Sequence, residues 1–331
     1  MSSVVVEVTR GPVVESRHEG IAAVVKADGT VVAQWGDIDA LIMPRSAVKP
    51  IQAIPFVESD AVERFGLGVE HIALSCASHS GEARHVDTVR GWLAKVGLSD
   101  ADLECGAHPS RLVWRVEELA RKNEAITAAS NNCSGKHSGF LTTAVQHGEA
   151  TKGYIGYQHP VQVRVRAALG ELAGLDADTL PYGTDGCGIP TLAFPLRNLA
   201  RAMATMADPS RLPTKRAEAI KRIRAAMNAE PFMVAGTGRF CTRLNSKLGG
   251  TVQAKSGAEG VYCCMLPTLG AGLAIKMWDG AGRASEVATA AILDHLGVLP
   301  KAEREAIVHP PVNNVVGLLV GEMRPAKSWL G

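Results

Sequence analysis

The sequence predicts an α+β fold, a layered α/β sandwich with one antiparallel sheet built from both ends of the chain and a mainly helical subdomain inserted between. Three observations carry this. A strand-like pattern at residues 4–9 and a hairpin at 21–35 open the chain, helical spacing dominates residues 69–235, and strand patterns return in the final quarter. The expected sheet lobe comprises approximately residues 1–45 and 236–331, and the expected helical lobe approximately residues 46–235. No repeat, low-complexity tract or linker separates them, so the whole chain of 331 residues reads as one functional domain.

The elements follow in order. Residues 4–9 alternate weakly and read as a strand. Residues 21–35 read as a β-hairpin, with Asp28-Gly29 supplying the positive-φ turn. A helix is expected around Ser46 and Lys49, with Pro44 in or before its first turn and Pro50 kinking or resetting it. Residues 84–96, 161–173 and 213–228 place apolar side chains at helical spacing. Glycine-rich interruptions stand at residues 131–139 and 183–190. Near the end, residues 250–254, 272–278 and 315–320 read as strands and residues 284–296 as a helix.

Composition excludes several functions. Apolar residues at 46% and charged residues at 21% are ordinary for a globular chain. A net charge of +2 without a basic block gives no reason to expect nucleic acid or an anionic membrane surface as partner. Aromatic residues at 5% are too few for base-stacking platforms. No apolar run is long enough to span a bilayer, and the first residues lack the basic start of a secretory leader. Seven cysteines, an odd number, suggest reduced thiols, so a soluble cytoplasmic protein is expected.

Chemistry concentrates in a few segments. Ser46 and Lys49 form the only Ser-x-x-Lys in the chain. Residues three apart share a helix face, and a lysine made neutral by burial can deprotonate a serine. Far downstream lies Lys255-Ser-Gly257. Ser-x-x-Lys followed by Lys-Ser/Thr-Gly is the order found in penicillin-binding proteins and serine β-lactamases. An exposed helix face without chemistry is the competing reading of the first motif. The segment Ser75-Cys-Ala-Ser-His-Ser-Gly-Glu82 is either a helix cap or a source of a relaying hydroxyl. In Ala129-Ser-Asn-Asn-Cys-Ser-Gly-Lys-His-Ser-Gly139, a helical turn would converge Cys133, Lys136 and His137. Tyr182-Gly-Thr-Asp-Gly-Cys-Gly-Ile-Pro190 sets Asp185 and Cys187 on a glycine-rich loop. Two cysteines with a histidine or carboxylate suit zinc, although the spacing matches no common zinc motif and buried apolar thiols are the alternative. Cys76, Cys105, Cys263 and Cys264 read as structural, and Gly249-Gly-Thr251 as a turn.

Taken together, Pro-Arg-Ser-Ala-Val-Lys, Cys-Ala-Ser-His-Ser-Gly-Glu, Asn-Asn-Cys-Ser-Gly-Lys-His, Gly-Thr-Asp-Gly-Cys-Gly-Ile-Pro and Ala-Lys-Ser-Gly-Ala-Glu-Gly resemble the Rhizobium etli-type L-asparaginases, the third structural class of these enzymes. The likeness covers essentially the whole chain, with the blocks in family order. It implies a fold like that of serine β-lactamases and serine glutaminases, and hydrolysis of L-asparagine to L-aspartate and ammonia. By this resemblance Ser46 is the nucleophile with Lys49 as partner, and Ser78 with Lys255 is a second Ser-Lys pair. Cys133, Lys136 and Cys187 correspond to zinc ligands, with zinc auxiliary to the chemistry. Arg45, His137, Asp185 and Cys241 correspond to positions in or near the substrate site. A homodimer is also expected. The alternatives are another Ser-Lys acyl hydrolase, directed at glutamine, β-lactams or peptides, and a non-catalytic zinc- or amino-acid-binding regulator.

Overall fold

The computed structural model describes residues 3–330. The chain divides into two units. One takes the residues up to Ala47, Phe194–Asp208 and everything from Gly250; the other takes Val48–Ala193 and Pro209–Gly249.

The first unit is built on an antiparallel sheet of eight strands. Their order is Pro311–Asn313, Leu319–Pro325, Ser3–Arg10, Val13–Lys26, Ala271–Met277, Val261–Leu266 and Gln253–Ser256, with Val31–Trp35 also paired to Val13–Lys26. Both ends of the chain thus meet in one sheet, as the strand patterns predict. The hairpin turn falls where Asp28-Gly29 places it: Lys26 donates to Thr30 O at 2.9 Å and Asp28 Oδ1 accepts from Thr30 N at 2.9 Å. Val261–Leu266 is buried at every position instead of alternating, so both of its faces are covered. The helices Leu196–Ala207 and Gly282–His295 both pack on it. Helical spacing alone cannot say which neighbour a helix chooses. Leu196–Ala207 therefore lies in the expected helical stretch yet packs on the sheet strands and belongs to their unit.

One strand lies later than its pattern suggests. Residues 315–320 read as strand, but the pairing segments are Pro311–Asn313 and Leu319–Pro325. Asn314 is the cause. Its Oδ1 accepts from Val316 N at 3.1 Å and Leu318 N at 2.9 Å, which bends the chain into a tight turn. Val315 and Val316, apolar and β-branched, are left exposed at the tip.

The second unit is helical. Its centre is Ser134–His147, buried from Ser134 to Ala144. Residues 131–139 read as a glycine-rich interruption, but helix begins at Ser134 because the glycine serves close packing. A Cβ on Gly135 would collide with Leu74 O, so glycine lets this helix seat directly against Val69–Ser75. Ala83–Lys95 and Pro160–Ala173 pack on the central helix, and Thr214–Ala229 on Val69–Ser75. The helix around Ser46 is broken into pieces, as the prolines anticipate. A 3₁₀ turn Arg45–Val48 runs into Lys49–Gln52, and Ile54–Glu58 follows with Pro55 in its first turn.

Candidate active site

In the sheet unit, Arg45 has φ 52°, a left-handed conformation rare for a residue with a side chain. Such a conformation costs of order 1–2 kcal/mol per residue and persists where surrounding structure enforces it. It immediately precedes Ser46, which is half-buried. The strand end carrying Lys255 is held against this turn by two contacts. A Cβ on Gly257 would lie 2.7 Å from Pro44 O, so only glycine permits the approach. Cys263 faces Lys255 across the ladder, and its Sγ lies 3.5 Å from Ala47 O and 3.4 Å from Lys255 O. A thiol that reads as plain core thus ties the Ser46 turn to the Lys255 strand. Lys255 is itself buried, and its Nζ donates to Ser256 O at 2.7 Å.

Lys49 lies three residues past Ser46, in the same continuous stretch of turn and helix, and is the second residue of the helical unit. It is only 1% exposed. Its Nζ donates to Ala77 O at 2.5 Å and Asn132 O at 3.3 Å, and sits 3.1 Å from Ser78 Oγ. Two carbonyls absorb two N–H bonds and the remaining direction faces a hydroxyl. A neutral amine in this position aims its lone pair at the Ser78 proton; an ammonium aims its third proton at the oxygen. Ser78, grouped with Lys255 from the resemblance, therefore has Lys49 as its neighbour within the helical unit. The Ser78 segment is fixed from behind: Ser78 N donates to Val234 O at 3.0 Å and Ser80 Oγ to Ala235 O at 3.0 Å. The Glu82 carboxylate accepts from Thr237 N at 2.8 Å and Thr237 Oγ1 at 2.7 Å.

Cys133, Lys136 and Cys187, grouped by the resemblance, lie close together in the helical unit. Lys136 Nζ lies 3.0 Å from Cys187 Sγ. The Cys133 thiol donates a hydrogen bond to Cys187; burial opposes the Cys187 charge, but that bond and Lys136 outweigh it and bring its pKa down to about 5. The same bond, together with burial, pushes Cys133 up to about 12, so the two thiols keep one proton between them. Burial also opposes the charge on Lys136, but Cys187, Cys133 and Asp185 more than offset it and raise its pKa. These shifts favour a thiolate at Cys187 beside a charged Lys136, with the Cys133 thiol attached. Among the described residues no three His, Cys, Asp or Glu side chains gather as a metal-binding group, and the third donor here is lysine. Two sulfurs and, once it gives up its proton, one lysine amine, all buried, would offer zinc a three-donor set.

His137 and Asp185 flank this cluster. Burial holds His137 neutral, with Lys136, Cys133, Lys49 and Asp185 as the charges acting on it. Asp185 is half-buried in a tight turn in which Gly188 N donates to its carbonyl at 2.8 Å. Arg45 and Asp185, both candidates for gripping substrate, belong to different units. Cys241 is buried on the helix Phe240–Leu248 of the helical unit.

Sequence reasoning passed over three residues here. His79 Nε2 lies 2.9 Å from Ser134 Oγ while His79 Nδ1 accepts from Gly81 N at 3.1 Å, which joins the Ser78 segment to the start of the Cys133 helix. Tyr154 OH lies 2.7 Å from His137 Nδ1. Burial, with Arg239 nearby, lowers the pKa of Arg111, and Cys133 acts in the opposite direction. The His-Ser-Gly-Glu spacing could have flagged His79; nothing local flags Tyr154.

No helix among the described residues is long and apolar enough to cross a membrane. No curated protein matches the sequence. Similar solved structures include Mglu in its native form, with 12% identity, TM-score 0.47, and coverage of 85% of this chain and 64% of that one. A putative β-lactamase from Bacteroides dorei DSM 17855 has 18% identity, TM-score 0.40, and coverage of 78% of this chain and 84% of that one. The D-alanine carboxypeptidase AmpC of Burkholderia cenocepacia has 15% identity, TM-score 0.42, and coverage of 83% and 93% respectively. The family model for L-asparaginase II matches residues 6–325, nearly the entire chain, and the protein belongs to that family.

Proposed function

We propose that this chain hydrolyses L-asparagine to L-aspartate and ammonia through an acyl-enzyme. The observation that carries the reading is a buried lysine, three residues after a half-buried serine, whose Nζ reaches a second serine, in a chain matched by the L-asparaginase II model over residues 6–325.

Ser46 Oγ attacks the side-chain amide carbon of asparagine, and Lys49 takes its proton by turning its lone pair from Ser78 to Ser46. The strained turn at Arg45 aims Ser46, and the Ser46 backbone N–H at the start of the turn is the donor offered to the developing oxyanion. Ser78, 3.1 Å from Lys49 Nζ, relays a proton to the departing ammonia, and the charge of Lys255 stabilises the alkoxide. Water then cleaves the β-aspartyl ester by the same groups in reverse. Arg45, His137, Asp185 and Cys241 contact the substrate, with Arg45 and Asp185 complementing its carboxylate and ammonium charges. Zinc would be held by Cys133, Lys136 and Cys187. When bound it supplies a fixed positive centre that organises the substrate pocket, at the cost of the protons on Lys136 and Cys133. The seven buried thiols suit a reducing cytoplasm. A homodimer follows from the family resemblance, and light scattering of the purified protein tests it.

The 3.1 Å approach of Lys49 to Ser78 favours one second reading, in which Ser78 rather than Ser46 carries the acyl group. The primary test is ammonia release from L-asparagine by purified protein, with L-glutamine and nitrocefin run alongside. Asparagine turnover is expected. Nitrocefin turnover without ammonia from asparagine would move the protein to β-lactam chemistry, and glutamine turnover alone to a glutaminase.

A further inference from the structure

His137 is fully buried, and its Nε2 has no hydrogen-bond partner among the described residues. Burying a polar nitrogen without a partner is costly, and native proteins leave few such groups unless a ligand completes them. The other ring nitrogen is committed. His137 Nδ1 lies 2.7 Å from Tyr154 OH, and the Tyr154 ring stands edge-on to the imidazole at 5.4 Å between centroids. Tyr154 is itself fully buried, and its hydroxyl oxygen already accepts from Glu104 N at 2.9 Å.

Hydrogen-bond accounting selects one tautomer. If His137 Nδ1 carried the proton, Tyr154 OH would accept twice, leaving both its own proton and the Nε2 lone pair stranded. If Tyr154 donates to Nδ1, every polar atom of the pair is satisfied except one Nε2–H. Burial keeps the phenol protonated and able to donate.

We infer that Tyr154 is a positioning residue that locks His137 as an Nε2–H donor, and that this N–H donates to an oxygen of the bound amino acid in the ground-state complex. The inference rests on the asparaginase reading for the identity of the ligand, but not for the tautomer. Tyr154 contacts no reacting atom in this scheme; it acts through His137. One hydroxyl thus sets which way round the imidazole presents itself, and Glu104, through its backbone N–H, sets the hydroxyl.

The test combines spectroscopy and kinetics on the intact enzyme. Long-range ¹H–¹⁵N spectra of histidine-labelled protein are expected to show His137 as the Nε2–H tautomer, with the Nε2 signal moving when L-aspartate is added. In Tyr154→Phe, KM for asparagine is expected to rise about tenfold with kcat within about twofold, the loss of one neutral hydrogen bond. His137→Gln, whose amide can still donate, should retain most of the affinity that His137→Ala loses, and Tyr154→Phe should cost it little more. An Nδ1–H tautomer, an Nε2 signal indifferent to aspartate, or a Tyr154→Phe variant with lowered melting temperature but unchanged KM would each overturn the inference. Absence of any asparagine turnover sinks the functional reading instead, and leaves the tautomer readable in the same spectra.

Discussion

Replacing Lys49 with methionine separates the catalytic part of the site from its structural part. The side chain keeps its length and apolar stem but loses the amine, stranding Ala77 O and Asn132 O, which now accept at 2.5 and 3.3 Å. A buried acceptor left without its donor costs about 1–3 kcal/mol, so two cost roughly 2–6 kcal/mol. Removing a buried amine returns part of this, because its desolvation is no longer borne. A net destabilisation of about 1–4 kcal/mol remains, a fall of a few degrees in melting temperature for a chain this long. Turnover should fall much further. A positioned base contributes about 10²–10⁴-fold, and Lys49 is also the neighbour that orders Ser78. Circular dichroism melting reads the first effect and coupled ammonia release the second. A folded Lys49→Met protein with kcat/KM within about tenfold of the parent would refute the argument that this amine is the base.

Other substitutions probe separate parts of the site. Arg45→Gly removes a side chain from a position with φ 52°, so melting temperature should hold or rise while KM for asparagine increases about tenfold. A drop in stability with unchanged KM would contradict the assignment. Burial lowers the pKa of His85, and of its stacked neighbour His79, below the ordinary 6.5. The unfolded chain takes up these protons near pH 6.5 and the folded chain resists them, so their stabilising effect is full above that pH and is lost as pH falls below it. His85→Phe, which preserves stacking on Phe232, should flatten melting temperature against pH between about 6.5 and 5; an unchanged slope would place the protons elsewhere. Cys187→Ala should lose bound zinc by elemental analysis, raise KM, and keep kcat within about tenfold at saturating asparagine. Complete loss of turnover at saturation would make the metal essential.

Much of the sheet was legible because period-2 patterning and an Asp-Gly turn are local signals. The tail strand slipped because Asn314 overrides the β preference of Val315 and Val316, a side-chain-to-backbone effect that alternation does not encode. At the site, the Ser46 and Lys49 spacing and the Cys133 and Lys136 spacing are short-range facts and could be read directly. The partners of Lys49 could not. Ala77 O and Asn132 O are backbone atoms 28 and 83 residues away, brought in by packing that includes the Gly135 approach to Leu74. Tyr154 was illegible for a different reason. An aromatic in a glycine-rich loop is an ordinary core residue until its hydroxyl is seen at 2.7 Å from a buried imidazole.

Peptide mapping after reaction with an electrophilic asparagine analogue, such as a diazoketone, decides the matter most directly. The added mass should appear on the peptide containing Ser46, and Ser46→Ala should abolish it without unfolding the protein. An adduct on Ser78 that survives Ser46→Ala would contradict the assignment and give the nucleophile's role to the serine that Lys49 touches.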